Sequence, residues 1–561
     1  MLQFKIAIIV CGFAMVRSFA PVPQALPTRW DGDRYYKSQC DIEQQPPDWL
    51  DGYLFCQLSA SYGDASTPEG QHVDHMFDAI GGIAVFDVAP ERTTFTGAYY
   101  PSRSYKIWNF YNRDFAQSSV AWRPAYAKLN TSAYKLWEKI QPEWDAPTPN
   151  VDFWKINDQI IAGTEFYPVG FTFNLDTTDN FHYYPFKEAA PTMQGQPLIP
   201  IHMPIHERMD TETGLLWATV SAIDISKKPP SLHQVIFSVD EDGVRRVEGI
   251  FDYSPWNPAK CQTPDGFYAY DPTKDFFPRN MHSFSSTQNY IILPLTSVVF
   301  NPCILLKDPR SAEVGFAQFY RFNAETALTF LVFDKRTKKF SETILKYTKT
   351  PQFVSHQFNG YELSDNVLVA DMIGYSSHAY DQLYRETVLQ PKPALAFAHA
   401  YRYTLDLEKE TITAQSIMPD DPTNIEFPQF NHNFEGKKYN YGYAITNVYY
   451  AGNSIMKIDL SDPTGAKNKE FKPTRDDSIA LLEPYFVQRP GATEEDDGVI
   501  VSRGYDTRVN KTRVYVVDAK SMKQVGEILA PTDTPFGFHE RFYLKDSFKG
   551  KKGGKKTKQE L

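Results

Sequence analysis

Two histidines stand four apart in "IHMPIHERMD", His202 and His206. In a helix that spacing aims two imidazoles at one metal ion. Pro204 lies between them and would break a helix at that point. The His-Glu-x-x-His pattern fails as well, because "HERMD" puts Asp210 where the second ligand should be. The stretch then runs through a turn, "DTETG", into a strand, "LLWATVSAID". At most one of the pair therefore points into a shared site, and its companions must come from far along the chain. His282 in "NMHSFSSTQNYIILP", His356 in "SHQFNGYEL" and His539 in "PFGFHERF" also adjoin turns or strand ends. His72, His75, His182, His233, His378, His399 and His432 sit in ordinary contexts and are expected to be satisfied or solvated.

The elements that must carry these residues are mostly strands. Apolar runs repeatedly stop at an aspartate, pass through a short polar turn and give way to another strand. The seven aspartates are Asp87, Asp176, Asp240, Asp334, Asp406, Asp459 and Asp518. Aspartate opens such turns because its carboxylate accepts from backbone amides two residues on. The seven recur every roughly 50 to 95 residues, the sort of period that indicates blades with long insertions. Seven four-stranded blades around an axis would use this length and remove the exposed sheet edges. The predicted fold is thus an all-β, seven-bladed propeller with a cap of loops and short helices. The best helix candidates lie near "SAYKLWEKI" and "AYDQLYRETVLQ".

With 561 residues, 42% apolar and 15% aromatic, the chain can bury a large core. A net charge of −10 argues against nucleic-acid binding, which normally needs a basic face. Residues 1–20 have the pattern of a secretory signal peptide, with Lys5 before "IAIIVCGFAMV" and small residues Ser18 and Ala20 after it. Residues 546–561 form a basic tail ending Lys558-Gln559-Glu560-Leu561, similar to the KDEL class of retrieval signals. Together the ends describe residence in the endoplasmic-reticulum lumen, with residues 21–545 as one propeller domain. "NTS" at Asn130 and "NKT" at Asn510 are glycosylation sequons. Without the leader, Cys40, Cys56, Cys261 and Cys303 remain. Proximity would pair Cys40 with Cys56 and Cys261 with Cys303, though three connectivities are possible. No stretch after the leader has the uninterrupted apolar length of a spanning helix.

The blocks "MHSFSSTQNYIILP", "IEFPQFNHNFEGKKYNYGYA", "EEDDGVIVS" and "PFGFHERF", in this order, resemble the carotenoid cleavage oxygenase family. The resemblance is to its animal branch of β-carotene oxygenases and the retinal-pigment-epithelium isomerohydrolase. It runs from "HMFDAIGGIAVFD" at His75 to His539 and implies a propeller holding one Fe(II) on four axial histidines. The family's first ligand is followed by Asp at +4, Gly at +8 and an aromatic at +11. His206 satisfies this through Asp210, Gly214 and Trp217, and His202 does not. His282, His356 and His539 match the remaining blocks, with Asn359, Tyr361 and Glu362 completing that of His356. The resemblance also implies that Glu165, Glu426 and Glu495 accept from the outer nitrogens of the ligand rings, and that Thr164 stands beside the open metal position. Departures from the pattern are Phe166 after Glu165, Ser355 before His356, Glu540 after His539, and the absence of a Pro-Asp-Pro-Cys segment.

The implied activity is an iron(II)-dependent dioxygenase that cleaves a conjugated double bond of a carotenoid or apocarotenoid to carbonyl products. Dioxygen is the co-substrate, and an apolar patch at the tunnel mouth is expected to meet the membrane. The alternatives are a retinoid isomerohydrolase using the same iron, and a luminal carotenoid- or retinoid-binding protein without turnover.

Overall fold

Each blade begins as a strand meander whose short polar turns force neighbouring segments to pair antiparallel. A computed structural model describes residues 35–61, 79–102, 105–106, 149–165, 170–188, 198–306, 319–349, 351, 353–375, 398–418, 423–448, 450–462, 464–474 and 477–548. Within them, seven sheets of four to six strands form a seven-bladed propeller, accompanied by a two-stranded ribbon, Val298–Phe300 with Tyr320–Phe322. Among the described residues no helix is long and apolar enough to cross a membrane. The two expected helices, the leader, Asn130, Phe166 and all of the tail beyond Phe548 lie outside the described residues.

The ring is closed at both chain ends. Glu540–Leu544 pairs with Gly52–Ser61 as the innermost strand of the first blade. Asp41–Gln44 pairs with Lys523–Leu529 as the outermost strand of the seventh. Arg513 adds an ion pair across this second seam, with Nη1 2.7 Å from the Glu43 carboxylate. Closure leaves few unpaired backbone groups at the sheet edges.

The seven aspartates fall one to a blade, each at or next to the end of the third strand from the axis. Five act as turn caps through a carboxylate oxygen. Asp240, Asp334, Asp406, Asp459 and Asp518 accept from the amides of Asp242 (3.0 Å), Arg336 (2.8 Å), Lys409 (2.9 Å), Ser461 (3.0 Å) and Ser521 (2.7 Å). At Asp176 the capping oxygen comes from Asn174 instead. Asp87 pairs with Lys545 at 2.7 Å.

Only one expected cysteine pair is bonded. Cys261 and Cys303 form a disulfide, while Cys40 and Cys56 are free and buried. The sheet register explains the difference. Cys40 follows the outermost strand of the first blade and donates its amide to Thr93, whereas Cys56 pairs with Glu540 near the axis. Three inter-strand steps at about 4.8 Å each separate their strands, well beyond disulfide reach. Burial pushes the Cys40 thiol up to about 12 and the Cys56 thiol well above its ordinary value.

Candidate metal centre

The innermost strands are built to bend. Register breaks occur between Pro200 and His202, Val354 and Gln357, Glu426 and Gln429, and Leu481 and Pro484. Such bulges re-aim side chains that a regular pleat would point elsewhere. Phe427, inside one of them, takes a φ of 50°, unfavourable for a bulky residue. Its ring lies 5.3 Å from that of His356 and 5.2 Å from that of His539. At the C-terminal end, Gly537 passes so close to the Gln57 carbonyl that a Cβ there would stand 1.6 Å from the oxygen. Glycine is required at that crossing, two residues before His539.

These devices bring His206, His282, His356 and His539 together, with one ligand atom of each lying within 4.8 Å of all the others. Nε2 of His282 is 3.2 Å from that of His206 and 2.8 Å from that of His356, and His356 is 3.2 Å from His539. Adjacent donors on an octahedral ion with metal–nitrogen bonds of about 2.1 Å lie about 3 Å apart. The separations fit that figure, so the cluster suits a single ion. His202 stays outside it. That ring is buried beside Asn280, 3.2 Å from Nδ2, and lies 3.8 Å from Glu165.

All four rings have a carboxylate at Nδ1, the nitrogen that faces away from the cluster. His356 meets Glu426 at 2.6 Å, and His282 meets Glu165. Ser355 belongs to this arrangement, because its hydroxyl donates to Glu426 at 2.5 Å. Burial would raise the Glu165 and Glu426 carboxyls, but the His282 and His356 imidazoles outweigh it and hold each at about 2. His206 and His539 are pushed well below the ordinary imidazole value by burial and by neighbouring rings, which keeps them neutral. Burial also lowers His282, yet the Glu165 carboxylate raises it overall. A neutral ring whose Nδ1–H faces a carboxylate keeps its Nε2 lone pair for a cation.

The remaining two carboxylates differ from expectation. The partner of His539 is Glu483, with both oxygens 3.2 Å from Nδ1, and not Glu495. Glu495 sits in the turn after the strand Ile479–Gln488, where it accepts from the backbone of Asn440 and Tyr441, each at 2.7 Å. From there it braces the sixth blade against the seventh. Glu483 lies within the strand itself, in "LLEPYF", beside the bulge at Pro484. A lone acid in an otherwise apolar inner strand, as in "IEFPQF" around Glu426, was the signal that could have found it. The second unanticipated residue is Asp152, whose Oδ2 is 2.9 Å from His206 Nδ1. Thr164 is buried next to Glu165 in the chain, just beyond the strand Gln159–Gly163. Glu540 pairs with buried Arg503 at 2.7 Å and so points away from the cluster.

A family profile described as retinal pigment epithelial membrane protein matches residues 34–543. The chain belongs to this family of carotenoid cleavage oxygenases. It is 28% identical over 310 residues to the mitochondrial carotenoid-cleaving dioxygenase of Mustela putorius furo, covering 48% of this chain and 56% of that protein. It is 27% identical to the carotenoid isomerooxygenase of Galleria mellonella, over 47% of this chain and 52% of the relative. These alignments span about half the length of the curated relatives. Among solved structures, lignostilbene dioxygenase from Pseudomonas brassicacearum superposes with a TM-score of 0.68 at 18% identity, covering 94% of this chain and all of that one. A Synechocystis apocarotenoid oxygenase mutant gives a TM-score of 0.66 at 16% identity, covering 92% and 97% of the two chains. At these identities the structural likeness supports the fold.

Proposed function

We propose that the protein is an iron(II)-dependent dioxygenase that cleaves a conjugated double bond of a carotenoid or apocarotenoid to carbonyl products. The observation that carries the reading is the set of four convergent imidazoles, each backed by a carboxylate. His206, His282, His356 and His539 would hold the iron. The carboxylates at Nδ1 fix the tautomer that leaves each Nε2 lone pair free, and they strengthen the rings as donors. When bound, ferrous iron supplies the electron transfer with dioxygen that the side chains themselves lack. Phe427 belongs to the buried core and packs beside the His356 and His539 rings, which keeps water from that side of the cluster. Four neutral donors leave positions on an octahedral ion open to small molecules, with Thr164 our candidate for limiting access there.

Membership of the family and the names of the aligned relatives favour a carotenoid or apocarotenoid substrate. The insect relative's name, an isomerooxygenase, favours a second reading in which a double bond is also isomerised. The test is anaerobic reconstitution with Fe(II), a panel of carotenoids, and chromatography of products formed under labelled dioxygen. Label in carbonyl products supports cleavage, and a changed double-bond geometry adds isomerisation. Pigment bound stoichiometrically and recovered unchanged would show a carrier.

A further inference from the structure

His206, like His282, lies outside any strand, so contacts from other elements must hold it. His356 lies within a strand and His539 immediately precedes one, but residues 203–207 around His206 belong to no strand. Two contacts from the strand Asp152–Ile156 take the place of a sheet. Trp154 Nε1–H donates to the Ile205 carbonyl at 2.5 Å, and the Asp152 carboxylate meets the His206 ring at 2.9 Å. Asp152 is fully buried, and its other oxygen accepts from the Phe153 amide at 2.7 Å. The oxygen that touches His206 also receives the Arg541 guanidinium. A second arm of Arg541 reaches 3.8 Å from Glu483, the carboxylate behind His539. The backbone repeats the link, since the His539 amide donates to the Val151 carbonyl at 3.2 Å.

We infer that Asp152 and Arg541 are positioning residues of the metal centre, a single ionic bracket that aims His206 and His539 together. The inference rests on the metal reading above. Asp152 fixes His206 with Nδ1 protonated and Nε2 directed inward. Arg541 keeps two buried carboxylates from repelling one another and ties their positions. A guanidinium suits this role better than an ammonium, because its planar fork presents two charged arms at a fixed angle, one hydrogen-bonded to Asp152 and the other in ion-pair range of Glu483. The His206 and His539 rings lie 4.3 Å apart, so a shift of either carboxylate misaligns both donors.

The test uses the full chain, loaded anaerobically with Fe(II) or Co(II). Affinity is measured by chelator competition, the cobalt absorption spectrum is recorded, and melting is followed with and without metal. Asp152→Asn keeps an oxygen able to accept from His206 and loses the charge. It should weaken metal binding by about 10- to 100-fold, alter the cobalt spectrum, and lower the melting temperature more with metal than without it. Arg541→Lys keeps the charge and loses the fork, and should weaken binding by about 10-fold. Metal affinity within twofold of the parent with an unchanged spectrum, for either variant, overturns the assignment for that residue. Equal losses of melting temperature with and without metal would show a structural ion pair only and also overturn it. A parent chain that takes up neither metal refutes the metal reading itself, a result distinct from parent binding that Asp152→Asn leaves intact.

Discussion

Glu483→Gln separates the structure's account of the centre from the sequence-based one most sharply. Glu483 receives the His539 ring at 3.2 Å on both oxygens, the Glu540 amide at 2.6 Å and the Gln429 side-chain amide at 2.8 Å. Replacing one oxygen by NH2 sets a donor against either Glu540 or Gln429, whichever way the new amide turns. One charge-assisted bond is lost and one buried donor is left unsatisfied, a stability cost of about 1.5 to 3 kcal/mol. For the metal, loss of the carboxylate behind His539 should weaken affinity by about 10- to 100-fold. That corresponds to about 1.4 to 2.8 kcal/mol. Glu495→Gln retains an oxygen for the Asn440 and Tyr441 amides and touches none of the four rings, so metal affinity should stay within about twofold. The assay is chelator competition on the loaded chain, with thermal denaturation of the same samples. Metal loss on Glu495→Gln, with none on Glu483→Gln, would refute the reasoning.

Other consequences follow from the same geometry. His206→Ala should abolish stoichiometric metal, whereas His202→Ala, which removes a neighbour of Glu165 and Asn280 but no ring of the cluster, should retain it; elemental analysis of purified protein reads both. Arg503→Met leaves buried Glu540 unpaired and should destabilise the fold by about 3 to 5 kcal/mol, with much of that restored in Arg503→Met/Glu540→Leu, as measured by denaturant unfolding. We also propose residence in the endoplasmic-reticulum lumen. Deleting Lys558 to Leu561 should then send the protein into the medium with a glycan at Asn510, which lies exposed in the turn before Lys511–Asp518. Cytosolic protein without a glycan would contradict this.

The propeller was legible because its signal is local. An aspartate at the end of an apolar run caps a turn by contacts within a few residues, and each of the seven marks the third strand of one blade. The four histidines were legible because each sits in a sequence block that recurs in the family pattern, although His356 proves to lie within a strand and not beside a turn. Their supporting acids were harder. Glu495 and Glu483 are twelve residues apart on one hairpin, and only the inner strand's bulge decides which faces His539. Asp152 lies 54 residues from His206 and reaches it through the packing of two blades, so no spacing announces the contact. The free cysteines show the same limit. Cys40 and Cys56 are close in sequence, yet the chain enters the first blade at its outer edge and crosses to the axis between them.

The central claim is that His206, His282, His356 and His539 hold one iron through nitrogen. Iron-edge X-ray absorption of the anaerobically loaded chain tests it most directly. The account predicts about four imidazole nitrogens at about 2.1 Å, with the multiple scattering that intact rings produce. One of them should disappear, or the iron should be lost, in each single histidine-to-alanine variant. A spectrum dominated by oxygen or sulfur, or one unchanged when any of the four is replaced, would contradict it.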